Sequence, residues 1–482
     1  MVFLSSCENT TEISFIEVNR MSVVGAIMVP HPPIILPEVG RGEEKKIAAS
    51  DLSYRKAAAL AADLKPDTIV VCSPHCVMYS DYFHISPGRS ADGDMGQFRA
   101  PQVRFHAEYD AEFTAELSEL ARAEGFPAGT LGERKPELDH GTMIPLYYID
   151  PLYSGYRLVR IGLSGLPLAD HYRLGQMIQA AAEKLDRRVL FVGSGDLSHK
   201  LLEDGPYGFA AEGPVYEERI MDVMGRAAFD ELLDFDESFC EKAAECGHRS
   251  FCMLAGALDG KSLETEKLTH EGTFGVGYGF CTYRVIGDDP ERHLLKKWEE
   301  RRRKALEAQR QAEDPWVRLA RAEVEAWVTG RKRIAPPEDL PGEMFSEKAG
   351  VFVSLHKEGK LRGCIGTIGP TQSCVAEEII ENAISASSRD PRFSPVRKNE
   401  LDALEISVDV LFPAEKIRSK DELDVKRYGV IVTKGRKRGL LLPNLDGVDT
   451  VEEQVSIALR KAGLSEREKG YELQRFEVVR HV

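Results

Sequence analysis

The sequence predicts an α/β N-terminal domain with a mainly parallel sheet, followed by a smaller α+β domain. Three observations predict it. Short β-branched strands alternate with helical segments through about residue 286. A very charged stretch breaks the pattern after residue 288. Behind it, strand pairs joined by turns are interspersed with helical segments, which is an α+β order.

The elements follow in turn. Val23–Val29 is an apolar run ending at Pro30-His31. Residues 55–63 read as a helix, and 68–72 is a β-branched run ending at Ser73-Pro74-His75. Residues 110–124 look helical, 156–163 form a strand, 169–185 a helix, and 188–192 a strand ending in Gly193-Ser194-Gly195-Asp196. Strands of this kind separated by helices give βαβ units. The stretch 289–314 is rich in Ala, Glu and Arg without a strong apolar face, and reads as a solvated helical linker. Beyond it, 316–328 is helical, and 351–355 and 361–368 flank the turn residues 357–360 as a hairpin. A helix is expected at 375–386, and strands at 404–411, 429–433, 439–443 and 473–480.

At 482 residues the chain exceeds one typical core, so two domains are expected, 21–288 and 315–482. Met21 opens the first patterned strand, so residues 1–20 read as a loose extension or a start-site choice. The net charge of −15 argues against a general nucleic-acid binder. No run approaches about 18 apolar residues, so no membrane span is expected, and the first 20 residues are interrupted by Glu8, Glu12 and Glu17, unlike a signal peptide. The nine cysteines are odd in number and form no CxxC pair, which fits reduced thiols and a cytoplasmic protein. A homo-oligomer is compatible with all of this.

The chemistry sits just past the strand ends. His31 follows the first strand, His75 the second, and Asp196 and His199 a later one. Ligands of open α/β sheets bind outside the carboxyl ends of the strands, so these side chains can converge. Two neutral imidazoles with a carboxylate and open positions are the pattern of non-haem Fe(II) oxygenases. The plainer account is that the histidines cap strand ends. Spacing alone does not identify a third ligand.

Five ordered segments carry a resemblance: 29–40 (VPHPPIILPEVG), 73–83 (SPHCVMYSDYF), 138–149 (LDHGTMIPLYYI), 193–199 (GSGDLSH) and 245–251 (ECGHRSF). They resemble the motifs of the class III extradiol dioxygenase superfamily, including its Memo branch, over roughly 21–286. The resemblance implies a metal site at His31 and His75 with a third ligand from 245–246. Dioxygenases use a carboxylate there and Memo-type proteins a cysteine; this chain has Glu245-Cys246. Glu245 is taken as the ligand, with Cys246 the alternative. The implied metal is Fe(II), with Zn(II) or another divalent ion as alternatives. The implied substrates are O2 and a small aromatic or related vicinal diol or aminophenol. His199 resembles the acid/base histidine, able to take and return a hydroxyl proton. Asp196 either orients His199 or caps a helix. His140 resembles the histidine that contacts substrate or activated oxygen.

Residues 350–370 (GVFVSLHKEGKLRGCIGTIGP), 387–396 (SSRDPRFSPV) and 439–447 (GLLLPNLDG) resemble the AMMECR family domain over roughly 315–482. That resemblance, with the Memo-like one, implies a radical-SAM protein as candidate partner. Arg362 and Cys364 lie two apart on a strand and share a face. A neighbouring guanidinium lowers a thiol pKa, which makes Cys364 a candidate reactive thiol, against a structural cysteine between glycines. Asp390-Pro391-Arg392 sets a turn or presents Arg392 to an anion. Three functional readings stand: an Fe(II) oxygenase, a non-catalytic metal-binding scaffold using Cys246, and a modification enzyme using Cys364.

Overall fold

The computed structural model describes residues 22–482 apart from Glu358 and Asp446. The extension at 1–20, Met21, Glu358 of the predicted hairpin turn and Asp446 of the 439–447 motif lie outside the described residues. The chain divides into two units, Met1–Glu299 and Glu300–Val482.

The first unit is built on a six-stranded sheet. Its strands are β1 (Val23–Val29), β2 (Thr68–Ser73), β3 (Arg157–Gly162), β4 (Val189–Ser194), β5 (Lys261–Glu271) and β6 (Tyr278–Asp288). Their order is β3-β2-β4-β1-β6-β5, the first four parallel and the last two antiparallel. β1, β2 and β4 are buried along their whole length, as strands covered on both faces are. Val23, Ala26 and Met28 of β1 enter one core layer, while Val24, Ile27 and Val29 enter the other.

Helices α1 (Ala48–Leu64) and α2 (His140–Ile149) cover one face. Helices α3 (Leu168–Lys184), α4 (Glu212–Arg226) and α5 (His248–Ala257) cover the other. A hairpin at Ser90–Met95 and Ala100–Glu108, not expected from the sequence, flanks the sheet, its Ala91 and Ala107 in the α1 and α2 layer. No helix among the described residues is long and apolar enough to cross a membrane.

The charged stretch forms α6 (Leu294–Ala312), which starts in the first unit and ends in the second. It is not wholly solvated, since Leu295 and Trp298 are buried in the first core. The second unit has two antiparallel sheets. One holds β7 (Gly350–Lys357), β8 (Lys360–Gly366) and β9 (Leu404–Leu411), with α7 (Pro315–Gly330) and α8 (Val375–Ser388) packed on it. The other holds Gly429–Lys434 and Lys437–Leu441 against α9 (Val451–Lys461). The single strand expected at 473–480 is two strands. Glu472–Phe476 joins the second sheet and Val478–His481 the first, with the carbonyl of Glu477 between them accepting the Phe412 amide at 2.9 Å. The chain crosses sheets there, which an unbroken β pattern does not reveal.

One buried cation fixes the loop beside the sheet. Arg160 of β3 is 1% exposed. Its Nε donates to Ser86 Oγ at 2.8 Å, Nη1 to the Glu137 carbonyl at 2.5 Å and Nη2 to the Lys135 carbonyl at 2.8 Å. Glu133 and Asp139 balance its charge at 3.8 and 3.7 Å. Removing one partner of such a buried network costs about 3–5 kcal/mol. Arg160→Met is therefore expected to lower the stability of the first unit by that order, read as a shift in its urea unfolding midpoint. An unchanged midpoint would show that the loop does not depend on this residue.

Candidate metal centre

Strand order makes the site. β4 lies between β1 and β2, with Val29 paired to Ser194 and Cys72 to Gly193. The chain leaves all three strands at one edge, so His31, His75 and Asp196 emerge side by side. The fourth contributor comes from the turn before α5. A Cβ on Gly195 would fall on the Cα of Gly247, so two backbones touch there and Cys246 is pressed against the strand end. The Asp196 amide donates to Cys246 Sγ at 3.3 Å.

His31, His75 and Cys246 offer ligand atoms that all lie within 4.8 Å of one another. His31 Nε2 is 3.0 Å from His75 Nε2 and 3.6 Å from Cys246 Sγ. Donors sharing one zinc-like ion, at about 2.0–2.1 Å for nitrogen and 2.3 Å for sulfur, stand roughly 3.0–3.6 Å apart. The tautomer fits too. Ser194 Oγ donates its one proton to the Gly141 carbonyl at 2.6 Å, so towards His31 Nδ1, at 2.9 Å, it can only accept. Nδ1 therefore carries the proton and Nε2 presents its lone pair. His75 is set by its backbone: its amide donates to Ser73 Oγ at 3.2 Å, and Ser73 donates to Asp139 Oδ1 at 2.5 Å. Asp139 is also the N-cap of α2, accepting the Thr142 amide at 3.0 Å. The donor set and its spacing fit a divalent metal.

Glu245, taken as third ligand from the sequence, is directed elsewhere. Its Oε2 accepts the His248 amide at 2.6 Å at the start of α5, and the thiol of the next residue faces the histidines instead. The reason is local: the carboxylate satisfies a free amide in the first turn of a helix. Asp196 caps no helix. Residues 195–200 are irregular, and Asp196 Oδ1 accepts the backbone amide of His31 at 2.8 Å.

Two further imidazoles complete the cluster. His140 begins α2, its ring 3.9 Å from that of His75, 5.4 Å from His31 and 5.1 Å from Phe98. His199 stacks on Tyr207 at 5.0 Å, and its Nε2 is buried with no hydrogen-bond partner among the described residues. Burial, and then the neighbouring His75, push both His140 and His199 down to about 4. Burial lowers His31 well below the ordinary value, with His75, His140 and His199 adding, and it lowers His75 as well. All four are free bases at neutral pH. Burial raises the Cys246 thiol well above its ordinary value, Asp196 and Glu245 adding; a bound cation reverses that balance. Burial also pushes Asp196 and Glu245 up to about 7.

A cleft of about 850 Å³ opens beside His75 and His140, lined also by Asp139, Arg104, Lys135 and Glu137. The sequence reading missed Ser73, Asp139 and Ser194, which orient the ligands. The available signal was a serine at the last position of two of the strands that end in this site. In the second unit, Arg362 is spent on Glu400, Nε and Nη2 each at 3.0 Å, and on the Ser394 carbonyl at 2.9 Å, so it does not serve Cys364.

The profile of the family described as the catalytic LigB subunit of aromatic ring-opening dioxygenase matches residues 25–281, and that of AMMECR1 matches 317–481. Protein CA_C1420 of Clostridium acetobutylicum is 42% identical over 469 residues, covering 96% of this chain and 99% of its own length. A protein of Thermotoga maritima is 52% identical over 170 residues, 35% of this chain and 98% of its own. The crystal structure of protein PH0010 from Pyrococcus horikoshii is 36% identical, covers 34% of this chain and 88% of that one, and has a TM-score of 0.33.

The protonation states set a pH dependence. His31, His75, His140, His171, His199 and His248 all have lowered folded-state pKa values, so each takes up a proton on unfolding below about 6.5. Asp150, Asp196, Glu245 and the exposed His106 act in the opposite sense, because their raised values favour the folded form on acidification. The six lowered histidines outnumber these four groups, so the metal-free first unit should lose stability as pH falls from 7 to 5. Urea midpoints at the two values measure this, and a midpoint that rises at pH 5 would contradict it.

Proposed function

Because the chain belongs, through residues 25–281, to the LigB family of aromatic ring-opening dioxygenase domains and carries an AMMECR1 domain behind it, we propose that its first unit is a non-haem iron oxygenase opening a vicinal diol or aminophenol with O2. The observation that carries the reading is the meeting of His31, His75 and Cys246 beside a buried His199 Nε2 that has no hydrogen-bond partner among the described residues. His31, His75 and Cys246 would hold the iron, and Fe(II) bound there would supply Lewis acidity and electron transfer between diol and O2.

The chain's own groups do the rest. His199 is a free base at neutral pH, so Nε2 can accept a hydroxyl proton and later return it. His140 lies against His75 and lines the cleft, where it can hydrogen-bond a bound diol. Asp139 and Ser194 hold the ligand backbone and tautomer so that little rearrangement accompanies binding. Phe98 packs on His140 and limits water beside it.

A second reading, a metal-binding scaffold with a redox or assembly role, is supported by one observation: a cysteine stands where the dioxygenases place a carboxylate, and a thiolate favours softer or more tightly held metals.

Metal content by mass spectrometry after anaerobic purification comes first. His31→Ala, His75→Ala and Cys246→Ala should each lower bound iron about tenfold or more, as loss of a ligand does, while Glu245→Gln keeps it. Iron lost from Glu245→Gln but kept by Cys246→Ala would return the third position to the carboxylate. Oxygen uptake with a panel of catechols and aminophenols separates the two readings. Uptake that falls on the order of 10²–10⁴-fold in His199→Gln, with iron retained, supports the oxygenase; iron without any uptake supports the scaffold.

A further inference from the structure

The base at the metal centre has little of its own to hold it. His199 stacks on Tyr207, and its Nε2 has no hydrogen-bond partner among the described residues. The segment 195–200 is neither helix nor strand. The place of the imidazole is therefore decided by what fixes the backbone beside it.

Ser198, the residue before His199, is the fixed point. Its carbonyl accepts the Gly277 amide at 2.8 Å, and the Leu197 amide donates to the Gly277 carbonyl at 2.9 Å. Its hydroxyl donates to the Ala243 carbonyl at 2.8 Å, three residues before Cys246. Its amide donates to Glu217 Oε1 at 2.7 Å. One fully buried residue thus ties the base to the loop before β6, to the segment that carries Cys246, and to α4.

Glu217 is the contribution of α4. Its side chain is 4% exposed, and its second oxygen, Oε2, meets His270 Nε2 of β5. A Cβ on Gly277 would fall on Glu217 Oε1, so the loop before β6 closes directly over the carboxylate. Burying a carboxylate is costly unless its oxygens are paired and hydrogen-bonded. Here one oxygen goes to His270 and the other to the backbone beside His199. A backbone amide on a carboxylate makes a charge-assisted bond, roughly twice as strong as a neutral one. Glu217 and His270 neither line the cleft nor belong to the metal-ligand cluster.

We propose that Glu217, backed by His270, is a positioning residue for His199: through the Ser198 amide it holds the base beside the His31, His75 and Cys246 cluster. The inference rests on the oxygenase reading, in which His199 moves a hydroxyl proton. Glu217 touches no reacting atom and acts by geometry. A shift of the Ser198 backbone by about 1 Å carries the imidazole with it, and misplacement of that size costs about 10²-fold in rate. Because Ser198 Oγ also holds the Ala243 carbonyl, the same anchor sets the base relative to the Cys246 turn.

The full-length, iron-loaded protein is the test object. Glu217→Met keeps the side-chain length and removes both acceptors. Glu217→Gln keeps an oxygen for the Ser198 amide and can turn its nitrogen to His270 Nε2. Hydrogen–deuterium exchange, read by peptide mass spectrometry, should be about tenfold faster over residues 196–200 in Glu217→Met, with the peptide carrying His75 unchanged. In oxygen uptake with catechol and 2-aminophenol, kcat should fall about 10–100-fold while KM and bound iron stay as in the wild type. Glu217→Gln should recover most of both losses. His270→Ala, a truncation at a partly exposed position, should move exchange and kcat the same way and less far; it carries the comparison if Glu217→Met does not fold. Wild-type exchange over 196–200 in Glu217→Met, a rise in KM in place of the fall in kcat, or a Glu217→Gln protein as impaired as Glu217→Met overturns the proposal. If the wild type takes up no oxygen, the oxygenase reading fails, and the exchange comparison by itself then upholds or overturns the positioning role.

Discussion

The pairing of β1 and β2 on opposite sides of β4 is the constraint from which the rest of the first unit follows. Parallel neighbours must leave the sheet at the same edge, so residues 44 apart in sequence, His31 and His75, are brought to 3.0 Å. The middle strand ends in Ser194, whose hydroxyl bridges His31 and the Gly141 carbonyl. That single oxygen ties β1, β4 and α2 together and decides which imidazole nitrogen faces inward. Moving the register of β4 by one residue would send Ser194 to the other side of the pleat and leave the His31 tautomer unspecified.

Around this edge the protein concentrates polar groups that burial makes uncharged. Four imidazoles are held as free bases, a thiol is kept protonated, and two carboxyls sit near neutrality in their titration. Such an arrangement is costly for an isolated fold, because neutral donors and acceptors are left poorly paired; the orphaned His199 Nε2 is one instance. The same arrangement suits a cation, which favours the thiolate and finds lone pairs already directed. The wider frame is stiffened by groups that are not among the three candidate ligands. Arg160, buried and bonded to the carbonyls of the 135–137 segment, shapes one wall of the cleft.

The second unit solves its positioning problem differently. Its two sheets share a continuous chain at Phe476–Val478, and around Cys364 it joins Ser354 of the neighbouring strand to Asp390 and Arg392 of the loop after α8. The Asp390–Arg392 clamp fixes the backbone on both sides of the thiol through the cysteine's own amide and carbonyl, and Ser354 Oγ donates to its Sγ. Arg362, the nearer cation in sequence, is consumed by Glu400 and contributes shape instead.

The sequence by itself determined the alternation of the parallel strands with helices, the division into an α/β and an α+β part, and the histidines at strand ends, since these follow from apolar periodicity and from turn residues that act locally. His31, His75 and His199 were legible in this way as residues just past strand ends, and His140 only through the resemblance. Tertiary structure alone decided the rest. Glu245 and Cys246 are neighbours on the chain, and which one faces the histidines depends on the contact of Gly195 with Gly247 and on a free helix amide that draws the carboxylate away. Likewise Arg392, 28 residues from Cys364, reaches the Cys364 carbonyl in place of Arg362 two residues off only once the loop after α8 has packed on the strand. Side-chain partnership is settled by which backbones touch, and no periodicity in the chain encodes that.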